Sequence, residues 1–170
     1  MSKLNSLQII EDIYSVSKGL KERIVNDLNI QKEKVNCFSF VDEALEFLEK
    51  NTPQIIIVDL AMDSVGLPKD DQLEAKNARL TGWVFLKKYV IDGTFKDKLE
   101  NTHCYIFSGY GRIFSTEIGV TSIDGKIDIS KINKKLSEIR NYLYFVPKAG
   151  ADGGASELIK AIQTNSNELL

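Results

Sequence analysis

Glu11, Asp12, Asp59, Ser108 and Lys148 each stand where an apolar run of this 170-residue chain breaks into polar sequence. Carboxylates that converge repel one another and call for a cation. An all-oxygen donor set suits a hard ion, and Mg2+ is commonly held by one or two carboxylates while keeping several waters. A hydroxyl and an ammonium beside that ion can receive the oxygens of a phosphoryl group. Gly109, after Ser108, leaves room above them because it has no Cβ. A carboxylate in such a set can itself be the nucleophile. The chemistry to which these residue types point is phosphoryl transfer.

The runs that carry them must be strands. Gln54-Ile-Ile-Ile-Val-Asp59 is continuously apolar and β-branched, the pattern of a strand covered on both faces. Val35–Phe40, His103–Phe107 and Leu143–Val146 follow the same plan, and Leu7–Ile10 is a weaker case. Helical spacing fills the intervals. Val16, Leu20, Ile24 and Leu28 recur every fourth residue, with Ser15 or Ser17 as caps. Asp42 opens a helix with Leu45 and Leu48, and Thr81 one with Trp83, Leu86 and Val90. Ser130 precedes Ile132, Leu136, Ile139 and Leu143, and Gly154 or Ser156 precedes Leu158, Ile159 and Ile162. Five strands alternating with five helices predict a doubly wound α/β parallel sheet with helices on both faces. Ligands bind such a sheet at the carboxyl ends of its strands, where the five polar residues fall.

Two stretches break the rhythm. Residues 63–80 are polar and punctuated by Gly66 and Pro68, which predicts a long loop with room for one helical turn. Residues 111–129 carry Asp124-Gly125 between GVTSI and KIDI, a hairpin signal.

Composition sets the outer bounds. The chain is 43% apolar with a net charge of −2, enough for one domain with its own core and without the basic excess of a nucleic-acid binder. It has no run long enough to span a membrane and no signal-peptide core at its start, so a cytoplasmic protein is expected. Cys37 and Cys104 lie in strand-like runs and read as reduced core residues. His103 reads as a packing or surface residue rather than a catalyst. The helix Lys131–Arg140 reads as having a solvated basic face.

Taken in order, the motifs resemble a response regulator receiver domain of two-component signalling over roughly residues 4 to 163. Glu11-Asp12 match that family's acidic pair, Asp59 its phospho-accepting aspartate, Ser108-Gly109 its hydroxyl–small pair and Lys148 its fifth-strand lysine. Asp59-Leu60-Ala61-Met62 resembles the Asp-x-x-Met segment, and Gly82 the glycine that opens the third helix. Phe145 stands at the switch-aromatic position. The usual Lys-Pro is inverted to Pro147-Lys148, and the two odd stretches lengthen the intervals on either side of Ser108.

The resemblance implies a flavodoxin-like strand order 2-1-3-4-5 and a single-domain signalling protein that is not an enzyme. It implies Mg2+ held by Glu11, Asp12, Asp59 and the Ala61 carbonyl, with Ser108 and Lys148 on the phosphoryl oxygens. A sensor histidine kinase or phosphotransfer protein would be the donor, and an unidentified output protein or a phosphorylation-dependent homodimer the readout. Neither nucleic acid nor membrane is an expected partner. Two alternatives stand beside it: a degenerate receiver used as a binding or dimerisation module, and a haloacid dehalogenase-type phosphatase. The second fits poorly, because that class needs an acid two residues after its nucleophile and this chain has Ala61 there.

Overall fold

The computed structural model describes residues 4–121, 124 and 126–170. Its centre is an all-parallel sheet of β1 (Leu7–Ile10), β2 (Val35–Phe38), β3 (Ile55–Val58), β4 (His103–Ser108) and β5 (Leu143–Pro147), in the order β2-β1-β3-β4-β5. This is the flavodoxin-like order. Successive side chains along a strand point to opposite faces, so each buried strand feeds two cores. Leu7, Ile9, Ile55, Ile57, Tyr105 and Phe107 pack against α1 (Tyr14–Asp27) and α7 (Ala155–Asn165). Ile10, Ile56, Val58, Cys104, Ile106 and Phe145 pack against the helices of the other face. Those are α2 (Val41–Lys50), α4 (Thr81–Phe85), α5 (Gly111–Glu117) and α6 (Ile129–Ile139).

The helices are more numerous than the five expected. The polar stretch 63–80 contains the short α3 (Lys69–Glu74), which agrees with one helical turn in a long loop. α4 runs directly into a π-helical stretch, Leu86–Ile91. The stretch 111–129, expected to be hairpin-like, opens as a helix, Gly111–Glu117, which buries Phe114 in the core. Residues 122, 123 and 125, which hold most of the turn of that hairpin, lie outside the described residues.

Four further expectations are corrected. β2 ends at Phe38, and Ser39 and Phe40 turn into α2. Neither Ser15 nor Ser17 caps α1; its N-cap is Ile13, and Ser17 Oγ instead donates to the Tyr14 carbonyl. α6 is capped by Asp128, whose carboxylate accepts the Lys131 N–H at 3.1 Å, so Ser130 is not needed. Cys104 is buried, but Cys37 is exposed, because it lies on an edge strand with a neighbour on one side only. Arg140 likewise leaves the basic face. Its guanidinium turns inward to the Leu99 and Thr102 carbonyls and to Cys104 Sγ.

β5 is the other edge strand. Asn133 of α6 donates its amide N–H to the Phe145 carbonyl at 3.1 Å and accepts the Phe145 N–H at 2.7 Å. The outward-facing positions of β5 are therefore the odd-numbered ones. Pro147 occupies one of them, where a missing N–H costs no ladder bond. That is the physical reason an inverted Pro-Lys pair is tolerated at this strand's end.

Candidate functional site

The backbone sets the candidate residues side by side. The Glu11 N–H donates to the Phe38 carbonyl and the Asp59 N–H to the Ile10 carbonyl, both at 3.0 Å. The Lys148 N–H donates to the Ser108 carbonyl at 3.1 Å. Each parallel ladder thus continues one residue beyond its strand. In this way the sheet pins acid, acid and lysine at its carboxyl edge.

The side chains of Glu11, Asp59 and Lys148 meet there. Lys148 Nζ lies 2.5 Å from Glu11 Oε2 and 2.6 Å from Asp59 Oδ2, having passed over the Phe107 ring at 5.4 Å from its centroid. Glu11 is 3% exposed and Asp59 8%. Burial pushes the Glu11 carboxyl above its ordinary range, against the pull of the Lys148 hydrogen bond and charge. Burial works against the Lys148 ammonium too, but the two carboxylates outweigh it and hold its pKa above the usual lysine value. The result is a buried, charged set at the sheet's carboxyl edge.

Other candidates are engaged elsewhere. Asp12 is half-buried, and its Oδ2 accepts the Asp63 N–H at 3.1 Å, tying down the start of the 63–80 loop. Ser108 is fully buried, and its Oγ accepts the Tyr110 N–H at 3.3 Å, a bond within its own turn. The Ala61 N–H is directed at Asp59 Oδ1 at 3.4 Å. Phe145 is buried and stacks on Phe114 at 5.6 Å between centroids, and Phe114 meets Trp83 edge-on at 5.2 Å. Among the described residues no group of three or more histidine, cysteine, aspartate or glutamate side chains is close enough to hold a metal ion.

The donor chemistry nonetheless suits Mg2+. Glu11, Asp12 and Asp59 offer only oxygen, and with Lys148 they carry a formal −2, which a divalent cation would neutralise. As folded, the Lys148 ammonium supplies the positive charge between Glu11 and Asp59.

Gly82 is what lets the segment after Asp59 close over the sheet. Its N–H donates to the Leu60 carbonyl at 3.1 Å, and a Cβ there would fall 1.9 Å from the Asp59 carbonyl oxygen. Thr81 Oγ1 secures the same turn by donating to the Met62 carbonyl at 2.8 Å. The sequence pattern pointed to Gly82, and to Thr81 only as the start of a helix, but not to Phe114 or Asn133. Asn133 had one signal: it is an amide directly beside the core position Ile132 in an otherwise amphipathic helix.

No known protein family and no curated protein matches the chain. Solved structures do. The receiver domain of the Francisella response regulator 1452 superposes with a TM-score of 0.56 at 17% identity, covering 96% of this chain and 98% of that one. An uncharacterized protein from Neptuniibacter caesariensis gives 0.47 at 17% identity, over 97% and 95%. The first likeness agrees with the strand order. The chain has the fold of a response regulator receiver domain. No helix among the described residues is long and apolar enough to cross a membrane.

Proposed function

We propose that this chain is a phosphoryl-accepting signalling receiver, not an enzyme, working in the cytoplasm with Asp59 as its phosphoacceptor. The observation that carries the proposal is the position of Lys148 Nζ, 2.6 Å from Asp59 and 2.5 Å from the buried Glu11 at the carboxyl edge of a receiver-fold sheet. A scaffold gains little from burying two carboxylates around one ammonium, since such a set is costly to desolvate. An Asp59 oxygen attacks the phosphorus of a phosphohistidine on a sensor kinase or phosphotransfer protein, or of a small acyl phosphate. The P–N or P–O bond breaks, its electron pair leaves with the donor, and Asp59 becomes an acyl phosphate.

Glu11, Asp12, Asp59 and the Ala61 carbonyl would hold Mg2+, which would supply charge neutralisation for the phosphoryl oxygens. Lys148 pairs with one of those oxygens and Ser108 with another. Ser108 uses its own O–H for this, since towards Tyr110 its Oγ is only an acceptor, and Phe145 responds through its contact with Phe114, altering the face of α6, β5 and α7. The readout is a protein contact, with an output partner or a second copy of the chain. No nucleic acid or membrane is involved.

A second reading, a degenerate receiver used as a binding module, draws on the diversion of Asp12 to Asp63 and of Ser108 to Tyr110. Intact mass after incubation with acetyl phosphate and Mg2+ separates the two. A Mg2+-dependent phosphoryl adduct that disappears in Asp59→Asn supports the receiver. Absence of any adduct, with beryllofluoride and Mg2+ also leaving thermal stability unchanged, supports the binding module.

A further inference from the structure

At the opposite end of the sheet, a buried polar relay ties the segment after α7 to the start of β4. His103 is the chain's single histidine and is 2% exposed. Its Nδ1 lies 2.6 Å from Ser166 Oγ, which lies 2.7 Å from the Tyr105 hydroxyl. Ser166 and Tyr105 are both fully buried. On the other side of the ring, Nε2 is 3.3 Å from Glu168 Oε1. Tyr142 stacks on the imidazole at 4.3 Å, almost parallel to it. Around the ring stand Tyr105 from β4, through Ser166, Tyr142 and Tyr144 from the β5 side, Arg140 from the end of α6, and Glu168 from the turn Asn167–Leu169.

We propose that His103 is a proton-operated latch that holds residues 166–170 against the amino edge of β4 and β5 and releases them when its ring is protonated. In the neutral ring the relay closes completely. The Tyr105 O–H donates to Ser166 Oγ and the Ser166 O–H donates to Nδ1, while Nε2 carries the ring hydrogen and faces the Glu168 carboxylate. A second proton on the ring turns Nδ1 from acceptor into donor. Three hydrogens then share two contacts, so either the Ser166 or the Tyr105 hydrogen is left without an acceptor in the relay. An unmet buried donor is costly. The new cation also faces Arg140 and is countered only by Glu168, whose side chain is 56% exposed. Burial already holds the His103 pKa below its ordinary 6.5, with Arg140 acting the same way and Glu168 opposing. Release exchanges this arrangement for hydration of the ring.

The latch is tested on the full chain, using the single histidine's Hε1 resonance for the titration and hydrogen exchange of residues 166–170 for the release. Protection of that segment, corrected for intrinsic exchange, is expected to fall about tenfold from near pH 7.5 to near pH 5.5. The midpoint should match a His103 titration below 6.5. In His103→Gln the fall should vanish while the β3 and β4 amides stay protected. Protection independent of pH overturns the proposal, as does a His103 pKa at or above 6.5, or an equal fall in His103→Gln. If His103→Gln does not fold, the surface variant Glu168→Gln decides. Loss of its charge should lower the His103 pKa and move release to lower pH, and an unchanged midpoint overturns the latch.

Discussion

The carbonyl of Asp59 and the α-carbon of Gly82 are packed so closely that no side chain fits between them. A methyl at position 82 would lie 1.9 Å from that oxygen and 2.8 Å from Val58 Cγ2. Since the clash is with backbone, Gly82→Ala has to displace either the end of β3 or the start of α4. Overpacking of this kind costs about 1–3 kcal/mol. Urea unfolding should show that loss, and any phosphoryl adduct on Asp59 should fall with it. A variant as stable as wild type would mean that the two segments are not held as closely as described.

Glu11 gives the site a pH signature. Its folded pKa is raised above 4.5, so its protonated form is the one that folding favours. The corresponding stability is fully present below 4.5 and is lost as pH rises through the folded value. Glu11→Gln should therefore flatten the decline in stability just above pH 4.5, read from urea midpoints at a series of pH values. Lys148 behaves likewise at the alkaline end, because its pKa is also raised. Its contribution is present below 10.5 and is lost as pH climbs through its folded value. An unaltered acid-side profile in Glu11→Gln would remove Glu11 from the buried set.

Gln8 is an uncompensated cost in the middle of β1. It is fully buried, its Nε2 donates to the Ala44 carbonyl at 3.3 Å, and its Oε1 has no hydrogen-bond partner. Replacing a buried unsatisfied amide by an apolar side chain of similar length recovers about 1 kcal/mol or more of desolvation. Gln8→Met should raise the thermal midpoint. A drop would show that the amide has a partner, such as an ordered water.

Lys76, Asn77 and Ala78 form a left-handed turn with φ of 49°, 58° and 65°. For Ala78 no polar side chain compensates the crowding of Cβ against the carbonyl, which costs about 1–2 kcal/mol. Glycine adopts this conformation freely but loses more chain entropy on folding. Ala78→Gly should thus stabilise the protein by several tenths of a kcal/mol, measured by denaturant unfolding. The turn also carries Lys76 to its ion pair with Glu117 of α5, so the two stretches that interrupt the sequence rhythm are joined to each other in space.

Continuous β-branched runs made the strands legible before the structure was known, because a strand buried on both faces has no other way to be written. Their last residues then located Glu11, Asp59 and Lys148. What was not legible depends on contacts between distant segments. Nothing near Asp12 announces that its carboxylate will bond Asp63. Nothing near Ser108 announces that its hydroxyl will stay in its own turn. In the stretch 111–129 the strong local turn signal of Asp124-Gly125 gave no sign of the helix Gly111–Glu117 that opens it. Phe114, which decides the packing of that stretch, draws its stabilisation from Trp83 and Phe145, far away in sequence.

The amide of Asn133 presents the middle of β5 with one donor and one acceptor, as a neighbouring strand would. Pro147, two residues on, offers no N–H at all. A fresh strand approaching this border would find its hydrogen-bonding groups already taken or missing, so the sheet cannot readily grow on that side. That border is thereby guarded against backbone pairing, and whatever docks along β5 must recognise side chains.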